Sequence, residues 1–74
     1  MSYDFEITWR KVADVIDHLG GDVIAASGHA CTADFSDKAS RDAAATAIEE
    51  AKLGRAEKLF THRILVWKLE RHSQ

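Results

Sequence analysis

The segment that most restricts the fold of this chain is residues 61–70, THRILVWKLE, near the end of its 74 residues. Side chains alternate between two faces along a strand, and in this segment both faces are apolar. The residues of the two faces are Ile64 and Val66 on one side and Leu65, Trp67 and Leu69 on the other. One layer of helices covers only one side of a sheet, so we predict that the second side is exposed or covered by another molecule.

The conformation of this segment is open to two interpretations. Ile64 and Val66 are β-branched and favour a strand. Phe60, Ile64 and Trp67 also recur at a spacing typical of one helical face, so a helix over residues 59–71 is the alternative. We predict the strand.

Two further strands are predicted as a hairpin. Residues 22–26 and 30–36 are short apolar runs, and the turn between them contains Gly28. Residues 3–8 alternate apolar and polar side chains, which predicts a first strand with one buried face.

Two helices are predicted from apolar residues at helical spacing. The first spans residues 9–19 and ends at Gly20-Gly21, where a left-handed residue is needed. Its stripe is Trp9, Val12, Ile16 and Leu19. The second is capped by Ser36 or Asp37 and ends at Gly54. Its stripe is Ala39, Ala43, Ala44, Ala47, Ile48 and Ala51.

The predicted element order is β-α-β-β-α-β in a single α/β domain over residues 1–74. Two helices separated by a hairpin predict an α+β, ferredoxin-like two-layer sandwich with both helices on one side of the sheet. In that arrangement the last strand is an edge, with unpaired backbone groups. If residues 59–71 are helical, the fold is instead a three-stranded sheet with a C-terminal helical hairpin.

The single cysteine and the short length bear on stability and compartment. A domain of this size buries only about 60% of its unfolded surface, and one cysteine permits no internal disulfide. A lone thiol favours a reducing compartment, so we expect a cytoplasmic protein. No signal peptide is recognisable, and the apolar run at residues 64–67 is too short for a bilayer, so no membrane association is predicted.

Charge is divided unevenly along the chain, whose net charge is −2. Residues 1–51 hold ten acidic and four basic side chains, a net of −6, and residues 52–74 hold six basic and two acidic ones, a net of +4. The basic segment either complements the acidic body or a second copy, or binds an anionic partner. Nucleic-acid binding through this segment is therefore an alternative function.

Few residues suggest chemistry. His29 and Cys31 are close in sequence, which leaves a Cys/His-centred enzyme or redox protein as a second alternative. A free cysteine is more commonly a packed core residue. The four histidines are scattered, without the spacing of a zinc site. We therefore predict a protein that is not an enzyme, with no catalytic residue, no metal site and no cofactor.

The favoured function is a small intracellular protein–protein interaction or regulatory module. It would dock through its C-terminal strand, as a homodimer or on a larger complex. An inhibitor of a host assembly, of the kind phages encode, is one version of this hypothesis. The residues predicted to bind the partner are Arg63, Leu65, Trp67, Lys68, Leu69 and Arg71.

Overall fold

Two helices pack on one side of a four-stranded antiparallel sheet in the computed structural model, which describes residues 5–68 and their side chains from Trp9 onward. The elements are α1 (Phe5–His18), β1 (Asp22–Ala26), β2 (Ala30–Asp34), α2 (Lys38–Glu50), β3 (Arg55–Lys58) and β4 (Arg63–Trp67). The strand order across the sheet is β1-β2-β4-β3. The α+β class and the two-layer arrangement are confirmed. The described residues form two α-β-β units whose second strands, β2 and β4, pair at the centre of the sheet.

The core lies between the helices and one face of the sheet. Each element contributes alternate or helically spaced apolar residues, as hydrophobic burial requires. The buried apolar residues are Trp9, Val12, Ile16, Cys31, Ala33, Phe35, Ala44, Ala45, Ile48, Ile64 and Val66. The helical stripe predicted for α1 is confirmed, and so is the placement of Ile64 and Val66 on one face of β4. The structure shows that this face points into the core.

The first predicted strand is wrong where the structure describes it. Residues 5–8 belong to α1, which covers Phe5–His18 in the described part of the chain and so includes residues before Trp9. The spacing from Phe5 through Trp9 and Val12 to Ile16 is four, three and four, so the helical pattern extends back through this segment. An alternation of six residues is too short to exclude that pattern. Residues 3 and 4 of the predicted strand lie outside the described residues.

The ferredoxin-like order is therefore wrong as well, and the fourth strand comes from a different place. Residues 55–58 form β3, which pairs with β4 and leaves β4 in the centre of the sheet. The prediction that the last strand is an edge is corrected accordingly. The predicted alternative with a C-terminal helical hairpin is also wrong, because Arg63–Trp67 is a strand.

The two edges of the sheet differ. At β3 the backbone N–H of Ala56 donates to the Glu49 carboxylate of α2 over 2.9 Å, so the helix occupies that edge. At β1 the pairing with β2 shifts between Val23 and Ala25, and the intervening Ile24 is 48% exposed. A bulge of this kind interrupts an edge and disfavours addition of another strand.

The ends of the helices follow the sequence closely. Gly20 has φ +82°, a left-handed conformation that glycine adopts without steric cost, and it follows α1 as predicted. Asp37 caps α2, because its carboxylate accepts a 2.7 Å hydrogen bond from the Ser40 N–H. This hydrogen bond lowers the pKa of Asp37 below its usual value. The helix ends at Glu50, with Ala51 as its C-cap, earlier than the predicted stop at Gly54.

Arg41 is a buried charged residue that connects α2 to the β3–β4 turn. Its Nη1 donates to the backbone oxygens of Leu59 at 3.0 Å and Arg63 at 3.4 Å, and its Nε donates to the Asp42 carboxylate at 2.6 Å. A buried cation requires such partners, so Arg41 fixes the turn against the helix. Among the described residues, no helix has the length and apolar character required to cross a membrane.

Candidate interaction surface

The side of the sheet that faces away from the helices, called the open face below, is formed by alternate residues of the four strands. Directly paired residues of antiparallel strands lie on the same face, so the pairings assign its members. Its small and apolar residues are Ala25, Ala30, Thr32, Leu65 and Trp67, and its charged residues are Asp22, Asp34, Arg55, Glu57 and Arg63. Both described helices pack on the opposite side, so neither covers the open face.

Trp67 is the largest apolar side chain on this face and is 42% exposed. Its cross-strand neighbours are Ala30 on β2 and Arg55 on β3. Alanine is too small to cover an indole ring, which leaves much of the ring accessible. Leu65 lies one step along the same strand and is half-buried. The two side chains make a contiguous apolar patch that extends from the middle of the open face, at Leu65, to the end of β4, at Trp67.

Arg63 is already engaged with a residue of the same face. Its guanidinium binds the Asp34 carboxylate in a bidentate pair, with Nε–Oδ1 at 2.6 Å and Nη2–Oδ2 at 3.1 Å. The two residues are direct cross-strand partners. The hydrogen bonds from Arg63 lower the pKa of Asp34, and the same pair raises the pKa of Arg63. Since its charge is matched within the chain, Arg63 contributes little net positive charge to this surface.

The remaining residues of the predicted partner-binding set lie at or beyond the end of β4. Lys68 has an exposed side chain, and its backbone N–H donates to the His29 carbonyl over 2.8 Å. Leu69 and Arg71 lie outside the described residues. Of the five described basic residues of segment 52–74, Arg63 is paired with Asp34 and Lys58 lies 3.7 Å from the Asp42 carboxylate. The other three, Lys52, Arg55 and Lys68, are exposed, and nucleic-acid binding through this segment stays a prediction.

Arg55 is a residue of the open face that sequence reasoning missed. It is exposed and lies opposite Trp67. Its position depends on β3 being a strand, and the run Arg55–Lys58 contains only one apolar residue, Ala56. The charge on Arg55 was visible in the sequence, but its placement beside Trp67 was not.

Cys31 and His29 do not form a site together. Cys31 is 1% exposed and points into the core, whereas His29 is exposed in the turn between β1 and β2. Burial raises the pKa of the Cys31 thiol from 9.0 to about 11, so the neutral form dominates at pH 7. A neutral buried thiol is a poor nucleophile. These observations favour a packing role for Cys31.

We expect Cys31 to react with a thiol reagent at pH 8 roughly a hundredfold more slowly in the native protein than in denaturant, because access requires opening of the core. The free energy of unfolding should also fall as pH rises from 9 to 11. In that range the unfolded chain loses the thiol proton and the folded chain retains it. Comparison with Cys31→Ala isolates this dependence from other titrations. Equal labelling rates in both states would contradict the burial.

Metal ligands are not assembled in the described part of the chain. No group of three or more His, Cys, Asp or Glu side chains among residues 9–68 is arranged to hold a metal ion.

A groove lies on the outer side of the helices. It is an open groove of about 590 Å³ between α1 and α2. The groove is lined by Asp14, Val15, His18, Leu19, Ala43 and Ala47. Its floor is formed by small and aliphatic side chains and lacks a large exposed anchor comparable with Trp67.

Comparison with known protein families, with curated proteins and with solved structures finds no match to this chain.

Proposed function

We propose that this protein is a small interaction module that docks a protein partner on the open face of its sheet. The observation that carries the proposal is the exposure of Trp67, at 42%, beside Leu65 on a face that the described helices leave uncovered. Burying a large apolar side chain contributes about 1.5–3 kcal/mol relative to leaving it in water. Tryptophan is also among the residues that dominate binding energy at protein interfaces.

The mode of docking differs from the addition of a strand. β4 is central and fully paired with β2 and β3, so its backbone offers no free edge. Its side chains are what a partner would meet. The function is therefore packing of one surface on another, with Trp67 and Leu65 as anchors and charged groups at the rim.

A protein partner fits the charge of this face better than a nucleic acid does. Among its described residues three carboxylates accompany two guanidinium groups, one of which, Arg63, is paired with Asp34. A phosphate backbone needs a surface with excess positive charge. A surface of mixed sign around an apolar centre is typical of protein interfaces.

Site-specific photo-crosslinking tests the proposal. A benzophenone amino acid is placed at Trp67 and, as the matched control, at Phe60, an aromatic residue of the β3–β4 turn that is 86% exposed. We expect irradiation in the producing cells to give discrete protein adducts from position 67 at several times the yield from position 60. The mass of each adduct distinguishes a second 8.2 kDa copy from another protein.

The control at position 60 shows whether crosslinking depends on the open face or only on exposure of the probe. Equal yields at both positions would mean that exposure of an aromatic group alone produces the adducts. Either that result or the lack of any adduct at position 67 would overturn the proposed function.

A further inference from the structure

Two exposed charges of opposite sign, Asp22 and Arg55, lie at opposite corners of the open face, and neither has an ion-pair partner among the described residues. Cross-strand partners form rows that run across the strands. Asp22, on the edge strand β1, is in the same row as Asp34 and Arg63. Arg55, on the other edge strand β3, is in the same row as Trp67. Three inter-strand spacings separate β1 from β3, about 14 Å. Four residues along β4 separate the two rows, about 13 Å. The acidic and basic corners are thus the two ends of one diagonal of a nearly square surface.

We propose that the docking partner is a second copy of this chain, packed face to face through the open face. The inference rests on the proposed function and names its occupant. In this dimer the twofold axis lies in the plane between the two sheets, parallel to the diagonal that does not join Asp22 to Arg55. Rotation about this axis brings the basic corner of one copy over the acidic corner of the other. It places Arg55 of each copy over Asp22 of the other, and an interface of this symmetry forms each such pair twice.

The same rotation turns the strands of one sheet by about 90° relative to those of the other, which is the orthogonal mode of sheet packing. Trp67 of one copy then lies over β1 of the other, near Ala25. Ala25 is exposed and small, which leaves room for an indole ring. Leu65 and Thr32 are direct cross-strand partners at the centre of the face, close to the axis, so they meet their symmetry mates. The corner charges and the space above Ala25 therefore favour the same arrangement.

The size of the face limits the strength of this association. The face is a square with sides of about 14 Å, enlarged on each side by the reach of its side chains. It would bury roughly 400 Å² of surface on each copy, or about 800 Å² in total. Stable complexes bury about 1,200–2,000 Å². We therefore expect a reversible dimer whose population rises with protein concentration and falls with salt, because the corner pairs are exposed to solvent.

Charge reversal with complementation is the decisive experiment. Sedimentation equilibrium is measured at low salt over a wide concentration range for the wild type, Arg55→Asp, Asp22→Arg and an equimolar mixture of the two variants. Each variant alone brings like charges together at both corners, and we expect at least tenfold weaker self-association. The mixture restores an opposite-charge pair at both corners of a heterodimer, and we expect association close to that of the wild type. Lys11→Asp, which makes the same charge change on the exposed side of α1, should associate like the wild type.

The outcomes distinguish failure of the proposed dimer from failure of the proposed docking function. A wild type that stays monomeric at all concentrations overturns the second copy as partner. If position 67 then gives adducts with a different protein, the docking function survives. A dimer that is insensitive to both charge reversals, or a mixture that fails to associate, also overturns the diagonal arrangement. Loss of all adducts at position 67 overturns both proposals.

Discussion

Replacing Trp9 by alanine is expected to remove about half of the free energy of unfolding of the protein, or all of it if the domain is of low stability. Trp9 is 1% exposed, and its indole N–H donates to the Ser27 carbonyl over 2.6 Å. The side chain therefore fills the core beneath the β1–β2 hairpin. Its hydrogen bond also connects α1 to Ser27, the first residue of the turn between β1 and β2. Removing a buried tryptophan costs about 3–5 kcal/mol. The total stability of a 74-residue domain is only about 4–11 kcal/mol.

Two matched variants separate the reasons for this effect. Trp9→Phe retains most of the packing and removes the hydrogen bond, so we expect a loss of about 1 kcal/mol. Trp67→Ala removes the same side chain type from the open face, and we expect the free energy of unfolding of the monomer to change by less than about 0.5 kcal/mol. Urea denaturation followed by circular dichroism at low protein concentration measures all three. A Trp9→Ala variant whose unfolding midpoint equals that of the wild type would contradict the assigned core.

The contrast between the tryptophans was partly predictable from sequence. Trp9 begins a helical stripe with Val12 and Ile16, and the structure buries all three. In β4 the alternation fixed Ile64 and Val66 on one side and Leu65 and Trp67 on the other. Local periodicity is sufficient for such assignments because it depends only on the conformation of the segment itself.

The position of β4 in the sheet was not predictable in the same way. It depends on β3, whose sequence Arg-Ala-Glu-Lys has no apolar alternation. This strand is held by its pairing with β4 and by the hydrogen bond from Ala56 to Glu49, which are tertiary contacts between separated residues. A sequence pattern records the burial of side chains, and an edge strand with mostly exposed side chains leaves little such record.

Only some residues of the open face were therefore identified from the sequence. Leu65 and Trp67 were identified because a small domain has only one layer of helices to cover two apolar faces. Arg55 and Asp22 were missed because they lie on the same face as Leu65 and Trp67 only as a result of the strand order. Arg63 was identified as a partner-binding residue, but its bidentate pairing with Asp34 depends on the register of β2 with β4.

Replacing Gly54 by alanine is expected to destabilise the protein by about 1–3 kcal/mol, because it crowds β4 from the side of β3. A Cβ atom on Gly54 would lie 2.7 Å from the Trp67 carbonyl oxygen and 2.8 Å from Val66 Cγ1. The carbonyl belongs to the main chain and does not move without disturbing the pair between Arg55 and Trp67. The variant should therefore also weaken docking through the open face.

Gly20→Ala is the matched control for this variant. Gly20 has φ +82° and no atom within 4 Å of an added Cβ, so alanine there costs conformational strain of about 1–2 kcal/mol without crowding a neighbour. We expect both variants to lower the unfolding midpoint in urea. Amide hydrogen exchange should accelerate locally at residues 55–57 and 65–67 only in Gly54→Ala, since only that variant opens the β3–β4 pair. Unchanged relative protection of these amides in Gly54→Ala would contradict the close approach of the two strands.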